Sequence, residues 1–320
     1  MMKSSAIFAP PSLAGFVWRP ITRDDLAALV DLARTCFPVD GGLHFMLEPE
    51  SLTDNYFPNA PGVAVGAFAS DQGLVACTTV HLSGDSNTPR AIIVGQVHPA
   101  LRNRGFGAYL MHWSQEQAQM LLAEVTADQW LLQIRTESLT ASAHRLYLAH
   151  GFASISESLV MRRNLDLPLA DYAFPPGVTI ADWDPALADQ FFQAYDAAFR
   201  ERPGFPGYAT AEWVDSWMTD RFRPEWSMLA RSGDESLGFL MATSNPPHSF
   251  IMQVGVIPAQ RRRGLASALM AETMRRMQRA GAISVQLTVN VNNPGAIQTY
   301  TQRGFVPIGR RARYERIVER

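Results

Sequence analysis

The chain has 320 residues, a 47% hydrophobic fraction, an unusually low charged fraction of 18% and a formal net charge of −2. Its basic residues are 27 Arg and a single Lys, Lys3. Chemistries that need a lysine inside the fold, such as Schiff-base aldolases, pyridoxal-phosphate enzymes, P-loop nucleotidases and typical kinases, are thereby excluded.

The near-neutral charge speaks against a nucleic-acid partner. Two cysteines, Cys36 and Cys77, are too few for a disulfide framework or a Cys-based zinc site, which fits a cytoplasmic protein. No apolar run reaches the about 18 residues a membrane span needs. Residues 1–15, broken by Pro10 and Pro11, read as a disordered tail rather than a signal peptide.

In chain order, Phe16 to Arg19 predicts a strand. A helix follows from Thr22-Arg23-Asp24-Asp25, with Leu26, Leu29, Val30, Leu32 and Ala33 on its apolar side. Val63 to Ala69 and Leu74 to Val80, around the turn Ser70–Gly73, predict a hairpin. Then come a strand over Ala91 to Val97, a helix to about Leu122, a strand over Trp130 to Arg135, a helix over Ala141 to Ala149 and a strand over Ser154 to Met161. Asp166 to Gly177, rich in Pro and small residues, predicts a linker. Beyond it the order recurs: strand Val178 to Ile180, helix Pro185 to Phe199, a hairpin turning at Ser232–Glu235, strand Phe250 to Val256 and a helix to about Ala280. The next strand alternates, with Ile283, Val285, Leu287, Val289 and Val291 on one side and Ser284, Gln286, Thr288 and Asn290 on the other.

This recurrence is a repeat. Val97-His98-Pro99-Ala100-Leu101-Arg102-Asn103-Arg104-Gly105-Phe106-Gly107 returns as Val256-Ile257-Pro258-Ala259-Gln260-Arg261-Arg262-Arg263-Gly264-Leu265-Ala266, at a constant offset of 159. Downstream, Tyr147–Phe152 returns as Tyr300–Phe305 at an offset of 153. In each loop proline ends a strand, and glycine lets the backbone approach a ligand where a helix begins. The first N–H groups of a helix lack internal partners, and its dipole puts partial positive charge there. Flanking arginines add full charges, so each loop is built to take a diphosphate. Neither loop is a dinucleotide fingerprint, because the third glycine is missing.

The pattern Val-x-Pro-x-x-Arg-x-x-Gly-x-Gly/Ala, followed by Asn-x-x-Ala-x-x-x-Tyr-x-x-x-Gly-Phe, resembles the GCN5-related N-acetyltransferase (GNAT) superfamily, and the tandem layout resembles two-domain acetyltransferases of the mycothiol synthase kind. The second half carries all of it, through Asn293, Ala296, Tyr300, Gly304 and Phe305; the first has Thr140 in place of the Asn. The resemblance implies an α/β (mixed α+β) fold of two tandem domains, 16–165 and 178–320 joined by 166–177, each a mostly antiparallel twisted sheet flanked by helices. It also implies an acyl-CoA donor, acetyl-CoA in the first instance, with pantetheine between the splayed strands Phe250–Val256 and Ile283–Val291. The residues it marks for the cofactor are Val254, Val256, Arg261, Arg262, Arg263, Gly264, Ala266, Ser267 and Asn293, with Val97, Arg102, Asn103, Arg104, Gly105, Gly107 and Ala108 in the first half.

By the same resemblance Tyr300 is the general acid for the departing thiolate, since a phenol stays protonated at neutral pH, and Tyr147 is a second copy; a purely structural aromatic is the competing reading for each. No carboxylate stands on the strand before either loop, where many relatives place a Glu: Gln253 is there instead, and no base is named. His98 and His248 read as structural or solvated. Trp213 and Trp217, four apart, suit packing on one helix face, with an aromatic substrate lid as the alternative. The expected reaction is transfer of an acetyl group to the primary amine of a small molecule, by a monomer or homodimer with the C-terminal half catalytic; a non-catalytic acyl-CoA sensor is the other reading.

Overall fold

The computed structural model describes residues 15–83, 89–125, 129–202, 205 and 207–319. The tail expected over 1–15 lies outside them apart from Gly15. Contacts divide the chain into two compact units: residues 1–160 with 290–292 and 308–320, and residues 161–289 with 293–307.

The first unit begins with β1 (Phe16–Pro20), α1 (Leu26–Asp40) and α2 (Pro49–Tyr56). Before α1 the Thr22 backbone N–H donates to Asp25, which also takes a two-pronged ion pair from Arg19, so a capping box sets the helix start. The hairpin is β2 (Gly62–Ala69) and β3 (Gly73–Ser83), followed by β4 (Arg90–Val97), α3 (Phe106–Ala123), β5 (Gln129–Thr136), α4 (Ala141–Ala149) and β6 (Ala153–Asn164).

The second unit holds β7 (Thr179–Asp182), α5 (Ala188–Phe199), α6 (Thr210–Asp215), β8 (Met228–Ser232), β9 (Glu235–Asn245), β10 (His248–Val256), α7 (Leu265–Arg279), β11 (Ser284–Asn290) and α8 (Pro294–Thr301). A last strand, β12 (Val306–Glu319), then returns the chain to the first unit. The sequence did not reveal this strand. It pairs antiparallel with β5, from Ala312↔Thr136 to Glu319↔Gln129, and lies between β5 and β6, so the first unit's strand order is β1-β2-β3-β4-β5-β12-β6. The second unit's order is β7-β8-β9-β10-β11.

Each sheet is covered on both faces. In the first unit α1 and α2 bring Leu29, Val30, Leu32, Leu52 and Tyr56 to one side, while α3 brings Phe106, Leu110 and Trp113 to the other. In the second unit the apolar stripe of α5 packs with Trp183, Trp213 and Phe239, and α7 buries Leu265, Leu269, Met270, Met274 and Met277. Trp213 is wholly buried among Trp183, Phe192 and Tyr195, a burial worth roughly 1.5–3 kcal/mol or more for a side chain this large. The alternation along β11 is real, yet Ser284 and Gln286 are as buried as Val285 and Leu287 because both faces are packed. Both cysteines are free and buried.

Candidate active site

In each unit one pair of neighbouring strands runs parallel and then parts. β4 pairs with β5 from Arg90↔Leu131 to Ile93↔Ile134, and the ladder ends there. β10 pairs with β11 from His248↔Ser284 to Ile251↔Leu287, and again stops. Beyond these points one edge of β4, and one of β10, is left without its parallel strand, a row of amide donors and acceptors that an extended ligand can satisfy.

The loops after β4 and β10 share one backbone course. Pro99–Leu101 and Pro258–Gln260 each make a single 3-10 turn, and Arg102 and Arg261 are then extended. Asn103 and Arg262 take left-handed φ of 60° and 61°. Gly105 and Gly264, at φ 91° and 83°, are the N-caps of α3 and α7, a conformation that would strain any side chain. Neither cap supplies a side-chain bond to the helix, so the opening N–H groups of α3 and α7 remain available to an anion.

The arginines divide by task. Arg102 turns inward, giving Nη1 and Nη2 to the two oxygens of buried Asp40 at 2.5 and 2.6 Å and Nε to the Val97 carbonyl at 3.1 Å. Arg261 does the same work more loosely: it donates to the carbonyls of Ala198 at 3.0 Å and Val256 at 3.3 Å and lies 3.7 Å from exposed Glu201. Arg102 thus fastens its loop to the end of α1, and Arg261 to the end of α5. Arg104 and Arg262 are exposed; Arg263, also exposed, donates to Gln260 at 2.6 Å.

In the first unit the structure brings Val97, Arg102, Asn103, Gly105, Gly107 and Ala108 together with Tyr147 around one cavity of about 540 Å³. Thr140, the residue that stands for the motif Asn, also lines it, as do Gln96, Thr136, Ser138 and Arg145, none of which the sequence singled out; Gln96, just before the loop motif, carried the most legible signal. Thr140 caps α4 by accepting from the Ala143 N–H at 3.1 Å, and Asn293 caps α8 through Ala296 at the same distance. The Asn/Thr difference between the halves is thus an exchange of equivalent caps.

Tyr147 is buried and edge-on to Tyr314 of β12 at 5.0 Å; burial pushes its phenol up to about 12, opposed by a hydrogen bond with Thr136. Tyr314 in turn lies 2.6 Å from His144 Nδ1. Tyr300 is partly exposed. Burial raises its proton affinity above that of an ordinary phenol, and the charges of Arg202 and Arg303 work against that rise. Arg303 also donates to Ser267, which is buried in the first turn of α7.

A second difference concerns the parting strand. β4 keeps one unbroken register with β3 through Val97, whereas β10 slips against β9 between Ile251 and Gln253, a bulge at Met252. The amide oxygen of Gln253 beside it is buried with no hydrogen-bond partner among the described residues. His98 accepts from the Ala100 N–H, and His248 lies 2.8 Å from the Ser284 hydroxyl, as expected of structural histidines.

Residues 188–305 match the profile of the Acetyltransferase (GNAT) family. The mycothiol acetyltransferase of Mycolicibacterium paratuberculosis is 31% identical over 228 residues, 65% of this chain and 68% of that protein. Among solved structures, a GCN5-related N-acetyltransferase from Sphaerobacter thermophilus superposes with a TM-score of 0.77 at 24% identity, covering 98% of each chain. A tandem GNAT protein from the clavulanic acid biosynthesis pathway gives 0.65 at 16% identity, covering 94% of this chain and 98% of its own. The chain therefore belongs to the GNAT acetyltransferase family. It is an N-acetyltransferase, a tandem member resembling mycothiol acetyltransferases. Among the described residues no helix is long and apolar enough to cross a membrane.

Proposed function

We propose that the protein moves an acetyl group from acetyl-CoA to the primary amine of a small molecule, and that residues of the second half carry out the transfer. The observation that carries this reading is the slip at Met252, present in β10 and absent from β4, with Tyr300 on the helix that follows the parted strands. The family profile falls on the same half. The relatives' name, mycothiol acetyltransferase, supports a small-molecule acceptor.

Acetyl-CoA supplies an activated thioester. The chain's part is to hold its diphosphate on the N–H groups opening α7, behind Gly264, and its pantetheine amides along the open edge from Met252 to Val256. Backbone N–H groups beside the bulge polarise the carbonyl as the amine nitrogen bonds to its carbon. Tyr300 keeps its proton at neutral pH and gives it to the sulfur as the C–S bond breaks. The unpartnered Gln253 oxygen accepts a hydrogen bond from the incoming amine, and the amine proton leaves to water. The first unit, with its phenol buried against Tyr314 and no slip in β4, holds acyl-CoA without turning it over.

Thiol release from acetyl-CoA with a panel of small amines tests the proposal. Turnover that falls in Tyr300→Phe and survives in Tyr147→Phe supports it. Saturable acetyl-CoA binding with no thiol release for any amine would instead favour a sensor, the reading that the missing carboxylate at Gln253 invites.

A further inference from the structure

Arg303 follows Tyr300 by three residues, one turn along, where α8 ends. Its backbone N–H donates to the Tyr300 carbonyl at 2.9 Å, and its own carbonyl accepts from Arg163 at 2.7 Å. Arg163 is buried and also donates to the carbonyls of Leu167 and Pro168. Gly304 makes room for it: the residue sits at φ 79°, and a side chain there would collide with the Arg163 guanidinium. The backbone one turn past Tyr300 is thus pinned.

The Arg303 guanidinium is held as firmly as its backbone. Nη2 donates to Ser267, buried in the first turn of α7, and Nη1 donates to the Thr299 carbonyl. The group lies over the Tyr172 ring, 5.1 Å from its centre. Both acceptors are neutral, so these bonds fix the guanidinium without cancelling its charge. Its Nε is buried with no hydrogen-bond partner among the described residues. Arg202 and Arg303 both act on the Tyr300 phenol, but Arg202 is exposed and stacks on Phe199. The first half is built differently. His150 stands in place of Arg303 and Ala108 in place of Ser267, and a negative charge, that of Asp40, acts on the Tyr147 phenol.

We infer, on the reading that the second half carries out acetyl transfer, that Arg303 is the positioning residue of Tyr300: it ties the phenol's helix to the first turn of α7 and keeps a fixed positive charge near the phenol. When Tyr300 passes its proton to the departing sulfur, the negative charge moves from sulfur to the phenol oxygen, and water afterwards returns the proton. A guanidinium held close by favours that step. Arg303 touches neither acetyl donor nor amine in this scheme and acts through Tyr300 alone.

Two measurements on the full chain test it. The first needs no turnover: the ultraviolet absorbance of the Tyr300 phenolate at one alkaline pH, read as the difference between each protein and its Tyr300→Phe version. Arg303→Gln lowers the phenolate fraction about threefold, because the charge that favours it is gone, and Arg303→Lys keeps most of it. The second is a double-mutant cycle in thiol release from acetyl-CoA. Arg303→Gln lowers kcat about tenfold and leaves the KM for acetyl-CoA within about twofold, and Arg303→Lys restores most of the rate. In the Tyr300→Phe background the same change costs less than about twofold, since there is no phenol left to act through. An unchanged phenolate fraction in Arg303→Gln, or a loss of rate that is as large without Tyr300 as with it, overturns the inference. Absence of thiol release from the unmodified protein would instead sink the transfer reading, and the phenolate measurement then decides the role of Arg303 by itself. Arg303→Met, which keeps the stem over Tyr172, replaces the glutamine variant if that one does not fold.

Discussion

The two Arg/Gly loops differ little in backbone and much in what surrounds them. Both run through a prolyl 3-10 turn, an extended arginine, a left-handed residue and a left-handed glycine N-cap. Around the first, Arg102 is locked to a buried carboxylate, β4 is unbroken and Tyr147 is buried against Tyr314. Around the second, Arg261 rests on carbonyls and an exposed glutamate, β10 is bulged and Tyr300 is partly exposed beside two arginines. A loop proposed to hold an anion through its backbone N–H groups tolerates little change in that backbone. The groups proposed to move protons sit on neighbouring elements and are free to diverge.

The largest expected effect tests the locking of the first loop. Asp40→Ala leaves Arg102 buried without its partner and costs about 3–5 kcal/mol in denaturant unfolding. A loss below about 1 kcal/mol would put both loops in the same class. Next, Tyr300→Phe lowers kcat about a hundredfold, near 2.7 kcal/mol, with an unchanged circular dichroism spectrum, whereas Tyr147→Phe changes it less than about threefold. The reverse pattern would move the chemistry to the first half.

A pH titration of stability probes the first unit alone. His81 is held from its usual 6.5 down to about 4, so the unfolded chain binds its proton first. The stability this gives is full above pH 6.5, is lost as the pH falls towards 4, and is flat below. His81→Gln removes that slope; a slope that persists in the variant would assign it to other groups. The smallest change is expected at the second loop, where Glu201→Ala shifts stability by no more than about 1 kcal/mol, since the pair is exposed and long.

Much of this was legible because it is local. The repeated loop and both hairpins are fixed by residues a few positions apart, and prolines and glycines announce them; that Thr140 and Asn293 cap helices came only from the structure. The expectation that Trp213 packs rather than lines a lid follows from its spacing with Trp217, and the core around Tyr195 agrees. What stayed hidden depends on distant partners. The grip of Asp40 on Arg102 spans 62 residues, and nothing near Asp40 marks it. The slip at Met252 exists only relative to β9. β12 was missed because its charged run reads as solvated chain until β5 is placed beside it, and the fastening by Arg102 and Arg261 was missed because sequence does not show which way a side chain turns.

That last strand sets a schedule for folding. The ribosome finishes β5 long before it reaches residue 308, and at roughly 5–20 residues per second the wait is on the order of ten to thirty seconds. Throughout it the first unit has an unfilled slot between β5 and β6, with bare backbone donors and acceptors of the kind that recruit wrong strands. The half made first is therefore the half completed last, and whatever occupies that slot in the nascent chain must be displaced by residues 308–319.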